Sequence, residues 1–248
     1  MIILLPPSET KATRARGSAL RPETLSSPAL AASRATVASA LAEVSGQPDA
    51  AAVLGVSPLL LEEIARNTHL LTAPTLPARE LYTGVLYDAL DLASLDPAPA
   101  RRATRRLVVV SALYGAVRMT DRLAPYRLSM SVNLPGVGPL AGFWRPELEP
   151  VLAELAGRGL VVDCRSSTYA AAWVPQGELT RRWVTVRVPG ATHTAKHTRG
   201  LVARALCQDA SDPRRPQALP EILGDRFSVE LLEPERAGRP WALEVRSR

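Results

Sequence analysis

At 248 residues, 46% hydrophobic and 22% charged, the chain is long enough to bury a substantial core, and its composition excludes a disordered polymer. A net charge of +6 with a pI near 9.9 suits an acidic partner such as nucleic acid, a nucleotide or a phosphorylated metabolite. Two cysteines, Cys164 and Cys207, are too few for a disulfide framework or a metal cluster, and no run of about 18 apolar residues is present to span a bilayer.

Ile2–Leu5 reads as a short strand, stopped by Pro6-Pro7. The opening MIILLPPSE has no basic n-region and too short an apolar stretch for an export signal, so a soluble cytoplasmic protein is expected. Ser8–Leu25 is polar, basic and aperiodic, and is read as a loop. Pro28–Val44, Pro48–Val53 and Ser57–Asn67 carry helical spacing, the last with Ser57 as N-cap, Pro58 at the first position and Glu62 and Glu63 near its start. Tyr82–Leu95 predicts a turn entering an amphipathic helix, Ala98–Arg106 a basic helix, and Leu107–Ser111 the clearest buried strand. Phe143–Leu155 is expected to be helical, Leu160–Cys164 and Trp183–Val188 to be strands, and Thr198–Cys207 a helix. Phe227–Leu232 and Trp241–Val245 pair as a closing hairpin around Pro234–Pro240. Strands interleave with helices without a linker or repeat. One α/β (mixed α+β) unit over 1–248 is therefore predicted, with a mixed central sheet flanked by helices.

Lysine is nearly absent. Of 30 basic side chains only Lys11 and Lys196 are lysine, the rest being arginine. Where arginine is the default cation, a retained lysine points to a need for a compact ammonium that can lose its proton, attack a carbon or hold a phosphate. Lys11 follows the first strand, and Lys196 lies in HTAKHTRG with two of the chain's three histidines.

Three strands end in polar clusters: Ile2–Leu5 into Ser8, Glu9, Thr10 and Lys11; Leu107–Val110 into Ser111; and Leu160–Asp163 into Arg165, Ser166 and Ser167. Ligands of open α/β sheets collect beyond the carboxyl ends of strands, so neighbouring strands would gather Lys11, Ser111, Tyr114, Arg165 and Ser166 around one pocket. Tyr114 with Arg118, and Tyr126 with Arg127, are Tyr/Arg pairs suited to base stacking and phosphate pairing, or to the rim of a core. His193, Lys196, His197 and Arg199 precede the predicted Leu201–Cys207 turns, where a helix N-terminus with adjacent cations attracts anions. The spacing of His193 and His197 lacks the glutamate and third ligand of a zinc motif, and no P-loop or dinucleotide fingerprint occurs, so neither metal nor cofactor is expected.

Two segments imitate the hairpin of a helix-hairpin-helix DNA module: Leu54–Pro58 within 38–67, and Leu134–Pro139. In the first, Glu62 and Glu63 open the second helix and oppose phosphate.

Taken in order, ILLPPSETK, YTGVLYDAL at 82–90, SALYGAVRMTDRLAPYRLSM at 111–130, GFW at 142–144, VVDCRSSTYAAAW at 161–173 and AKHTRGLVARAL at 195–206 resemble the YaaA family of peroxide-stress proteins. The resemblance implies a cytosolic single-unit protein with a positively charged cleft. It also implies a part in limiting oxidative DNA damage linked to intracellular iron, and DNA binding through a helix-hairpin-helix element. Its matched segments add Tyr82, Thr83 and Tyr169 to the candidate binding residues.

Two functions stand at this point: binding of DNA or another polyanion in a basic cleft, or an enzyme acting on a small anionic or nucleotide-like substrate. In the second, Lys196 is base or nucleophile, Lys11 and Arg165 hold the anion, and Tyr114 orients or protonates. Nucleic acid and a small anion are both open as partners, and the oligomeric state is not fixed by sequence.

Overall fold

The structure, a computed structural model, describes residues 1–190 and 192–247. Among the described residues eleven strands occur in the order β1 (Ile2–Leu5), β2 (Leu76–Pro77), β3 (Leu107–Ser111), β4 (Gly115–Arg118), β5 (Arg122–Leu123) and β6 (Asn133–Leu134), then β7 (Gly138–Pro139), β8 (Val161–Asp163), β9 (Trp183–Arg187), β10 (Phe227–Leu232) and β11 (Trp241–Ser247). Seven of them form one mixed sheet in the order β10-β11-β9-β8-β1-β3-β4. The central pairs β3–β1, β1–β8, β8–β9 and β9–β11 are parallel, while β4 and β10 close the two edges antiparallel.

The central strands are buried on both faces, which is why Ile2–Leu5, Leu107–Val110 and Val161–Val162 are continuously apolar instead of alternating. Because β8, β1 and β3 are parallel neighbours, the chain leaves Leu5, Ser111 and Asp163 at the same edge of the sheet. The predicted gathering of three strand ends is present in the topology.

The closing hairpin forms as expected, with β11 two residues longer than predicted. β4 was not anticipated. Gly115, at φ 63, turns the chain straight back along β3, and a Cβ there would meet the Trp144 ring at 2.7 Å. The expected Pro28–Val44 helix is a 3-10 turn followed by Ala31–Ser45. Ser57–Asn67 is broken into two 3-10 turns around Leu61–Ala65, since only Ile64 and Asn67 of that stretch find the core. Leu140–Ala156 extends the predicted Phe143–Leu155 at both ends and accommodates Pro146 and Pro150.

The largest boundary correction is Thr192–Gln208, which begins well before the expected Thr198. Within it Gly200 serves contact: its bare Cα lets the helix lie against Val85–Leu90, where an added Cβ would overlap the Leu86 carbonyl oxygen and approach Ala89 Cβ to 2.9 Å. Gly200→Ala is therefore expected to destabilise the fold by about 1–3 kcal/mol despite alanine's better helix propensity. Thermal unfolding should show a Tm lower by at least about 3 °C; an unchanged Tm would refute the close contact.

Among the described residues no helix is long and apolar enough to cross a membrane.

Candidate functional site

The loop leaving β1 returns Lys11 to an isolated bridge with Tyr82, and the Ala12 amide donates to the Leu81 carbonyl at 2.9 Å. Ser8 is locked in by its neighbours. Its Oγ donates to the Thr10 carbonyl and accepts the Thr83 amide at 3.1 Å, while Thr83 Oγ1 donates to Thr10 O at 3.3 Å. Lys11 Nζ is thereby aimed inward. It donates to the carbonyls of Ser8 at 2.8 Å and Glu9 at 3.3 Å, and it stands 4.1 Å from the centre of the Tyr126 ring and 5.9 Å from that of Tyr82. A cation over an aromatic face is attracted by the ring quadrupole.

Of the chain's five tyrosines, Tyr82 and Tyr126 face this ammonium, and Tyr87 and Tyr114 pack against those two. Tyr82 stacks on Tyr87 at 5.4 Å, and Tyr114 meets Tyr126 edge-on at 5.3 Å. The Tyr126 hydroxyl lies 2.7 Å from Ser111 Oγ and 3.3 Å from the Tyr82 hydroxyl. Ser111 Oγ already accepts the amides of Leu113 and Tyr114, at 3.2 and 3.0 Å. Both its lone pairs are then occupied, its proton goes to Tyr126, and the proton of Tyr126 is left for Tyr82. Tyr87 donates to the Pro6 carbonyl at 2.7 Å, and Tyr114 to that of Ala124 at 3.2 Å. Burial holds Tyr82, Tyr87, Tyr114 and Tyr126 well above the usual phenol range, so they stay neutral. Tyr169 is pushed up to about 12, again by burial, against the pull of its bonds to Met130 and Ser129.

Arg127 supplies the charge beside them. Its guanidinium contacts Glu63 at 3.2 Å, the Glu9 carbonyl at 3.3 Å and the Glu9 carboxylate at 3.7 Å. Buried Asn67 fixes its backbone, accepting the Arg127 amide at 2.8 Å and donating to the Arg127 carbonyl at 3.0 Å. Lys11 titrates at about 7 in place of the ordinary 10.5. Burial is the main cause, the Arg127 charge adds to it, and Glu63 and Glu9 oppose it. A lysine so placed is half deprotonated near neutrality, the state needed of a base or nucleophile. Tyr82, Thr83 and Tyr87 also line a cleft of ≈ 230 Å³ with Arg79, Asp88 and Asp91.

The other predicted residues lie in different settings. Arg165 is buried and spent: it makes a two-point contact with Asp163 (Nε at 2.8 Å, Nη2 at 2.6 Å) and donates to the carbonyls of Tyr169 and Trp173 at 3.2 and 2.9 Å. Ser166 is half-buried and Ser167 exposed in the turn that follows. Arg118 donates to the Arg105 carbonyl at 2.7 Å. Lys196 and His197 lie within the helix instead of ahead of it. Both are exposed and, among the described residues, without a hydrogen bond or ion pair, while Arg199 donates to the Val186 carbonyl at 3.3 Å. The two lysines are thus unequal: Lys11 is built into the tyrosine cluster and Lys196 is not.

Two members of the cluster were missed from sequence. Tyr87 looked like an ordinary amphipathic-helix residue, and Glu63 like a first-turn acid. The usable signal was that an aromatic-poor chain keeps its tyrosines in the segments that follow or face strand ends.

Gly55 of the first hairpin has φ 64 and open space around it, yet the short helix after it turns Glu63 toward Arg127. The second hairpin borders a groove of ≈ 570 Å³ against Ala31–Ser45, where Glu43 and Asp49 are the charged lining residues. No group of three or more His, Cys, Asp or Glu among the described residues is arranged to hold a metal. Burial pushes the Cys164 and Cys207 thiols up to about 12, away from the reactive thiolate.

A family model described as "Peroxide stress protein YaaA" matches residues 1–230. A UPF0246 protein of Streptomyces coelicolor is 50% identical over 99% of this chain and 98% of its own length. One from Corynebacterium efficiens is 38% identical over 94% and 96%, and one from Methylibium petroleiphilum 32% identical over 72% and 76%.

Proposed function

The chain belongs to the YaaA family of peroxide stress proteins, with the match spanning residues 1–230, and from that premise we propose that it is an enzyme acting on a small anionic or nucleotide-like substrate with Lys11 as base or nucleophile. The observation that carries this is the Lys11 ammonium, which lies against Tyr126 and Tyr82 with no carboxylate of the described residues in ion-pairing contact and titrates near neutrality. Arg127 is the cation placed to meet the substrate's anionic group, because its contact with the exposed Glu9 carboxylate is long and easily exchanged. The Tyr82–Tyr126–Ser111 hydroxyl chain ends in one uncommitted neutral donor, the Tyr82 hydroxyl, for a developing oxyanion.

The polyanion-binding reading is favoured by the net charge of +6 and the exposed Arg14, Arg16 and Arg21 of the loop after β1. One experiment separates the two. A cation that merely attracts phosphate tolerates arginine, whereas one that must lose its proton does not. In a strain lacking the gene, Lys11→Arg should protect against peroxide no better than the empty vector, and Lys196→Arg should protect as well as the wild type. Full protection by Lys11→Arg would end the enzymatic reading.

A further inference from the structure

We propose that Lys11 is a covalent nucleophile that forms an imine with a small aldehyde or ketone bearing an anionic group, of the 2-oxo acid type. The inference rests on the Lys11-centred reading above and goes beyond it, since a base needs no bond to its substrate.

The first support is the partner set. A lysine placed for structure commonly ends on a carboxylate, whereas Lys11 Nζ ends on two backbone carbonyls and the face of Tyr126. A neutral amine keeps such contacts, because it can still donate to Ser8 O while its lone pair is directed away. The titratable and charged groups facing it are Arg127, Glu63, Glu9, Tyr82 and Tyr126. Desolvation together with an adjacent fixed cation is the combination that activates imine-forming lysines, and Lys11 has both in that order of size.

The second support is the neighbouring proton equipment. The amine lone pair attacks the carbonyl carbon, the C–N bond forms, and the C=O π pair moves to oxygen. A proton passes from nitrogen to that oxygen, giving a carbinolamine. The oxygen then leaves as water with a second proton, lent by a neighbouring donor and returned by the nitrogen's remaining N–H, while the nitrogen lone pair completes C=N. Amine plus carbonyl gives imine plus water, with no oxidant or reductant. The Tyr126 and Tyr82 rings flank the nitrogen, with centres at 4.1 and 5.9 Å, and the Tyr82 hydroxyl, whose proton the Ser111–Tyr126–Tyr82 chain leaves uncommitted, can donate a hydrogen bond to the departing oxygen. Arg127 can take the carboxylate of the same substrate, a planar pairing that lysine could not offer.

The chain's lysine poverty makes the test clean. Its primary amines are Lys11, Lys196 and the Met1 terminus, the last paired with Asp212 at 3.0 Å. The full-length protein is incubated at pH 7 with glyoxylate and cyanoborohydride, which reduces an imine to a stable secondary amine, and the adduct is located by peptide mass mapping. At that pH about half of Lys11 is neutral, against roughly one part in a thousand for an ordinary lysine. The Lys11 peptide should therefore gain the adduct at least about tenfold faster than the more accessible Lys196 peptide. Arg127→Gln should slow the Lys11 adduct, and Lys11→Arg should leave only the background at the other two amines. A Lys11 adduct that is absent, or no faster than that on Lys196, overturns the proposal. If Lys11→Arg nevertheless loses peroxide protection, Lys11 acts as a base and the broader reading stands.

Discussion

Lys11→Met is expected to make the protein more stable at pH 7, by about 1–2 kcal/mol, while removing its function. The sign follows from proton linkage. Folded Lys11 titrates near 7 and the unfolded chain near the ordinary 10.5. Between those values the unfolded state holds a proton that the folded state has released, so stability rises with pH across the window. Below about pH 7 both states carry the proton and the folded protein bears the full cost of an ammonium pressed among tyrosines. That cost corresponds to about 4–5 kcal/mol at most. Methionine removes it but gives up the bonds to the Ser8 and Glu9 carbonyls, which reduces the net gain to the smaller figure. Urea unfolding of both proteins at pH 7 and pH 9.5 checks the sign twice. The variant should lead at pH 7, and at pH 9.5, where wild-type Lys11 is neutral in the folded state and about 3 kcal/mol of the cost is relieved, the lead should disappear. A variant less stable than wild type at pH 7, or a lead indifferent to pH, would mean that Lys11 is a structural cation. Strain kept at one position against the interest of stability is characteristic of working sites.

The strands of the central sheet were legible, though not their order, because their signal is local and doubled: each strand is a short apolar run, and each ends at a proline or a polar cluster. Leu107–Ser111 reads the same from either side, and the β10–β11 hairpin is bracketed by its own turn residues. What was lost depended on distant partners. The helix expected from Thr198 begins at Thr192, held by a close contact between Gly200 and Leu86, and this places Lys196 and His197 in its body and not at its entrance. Gly115 looks like part of a Tyr-Gly motif until Trp144 closes over it and β4 pairs back on β3. For the site, the scarcity of lysine pointed to Lys11 and Lys196 together. It could not rank Lys11 above Lys196, because burial against tyrosines far away in the sequence, Tyr82 and Tyr126, is a property of the fold alone. Residues Tyr82 and Lys11 are joined by a bridge across 71 positions of chain, and no periodicity in the sequence reports such a contact.

Arg165→Met is expected to cost about 3–5 kcal/mol, the largest loss from any single substitution considered, because it strands a carboxylate in the core. Asp163 and Arg165 are 1% and 2% exposed. With the guanidinium gone, Asp163 keeps only the Arg165 amide at 3.1 Å and the Trp183 indole N–H at 3.3 Å as donors. The carbonyls of Tyr169 and Trp173 lose a donor in the same step. Arg165→Lys keeps the charge but not the fork that serves four acceptors at once, so it should fall between wild type and Arg165→Met. Adding Asp163→Leu to Arg165→Met should recover part of the loss, since an apolar pair of similar volume leaves no charge uncompensated. Because the turn 164–173 also carries Tyr169, the single variant should disturb the tyrosine cluster and slow the Lys11 adduct even at temperatures where the fold survives. The magnitude decides what kind of residue Arg165 is. An Arg165→Met protein within about 1 kcal/mol of wild type would mean that the guanidinium is not needed where it lies, and would return it to the role its position after a strand end suggested, a cation free to take the substrate's anion. A loss of the expected size leaves that work to Arg127, whose partners are longer, more exposed and easier to exchange.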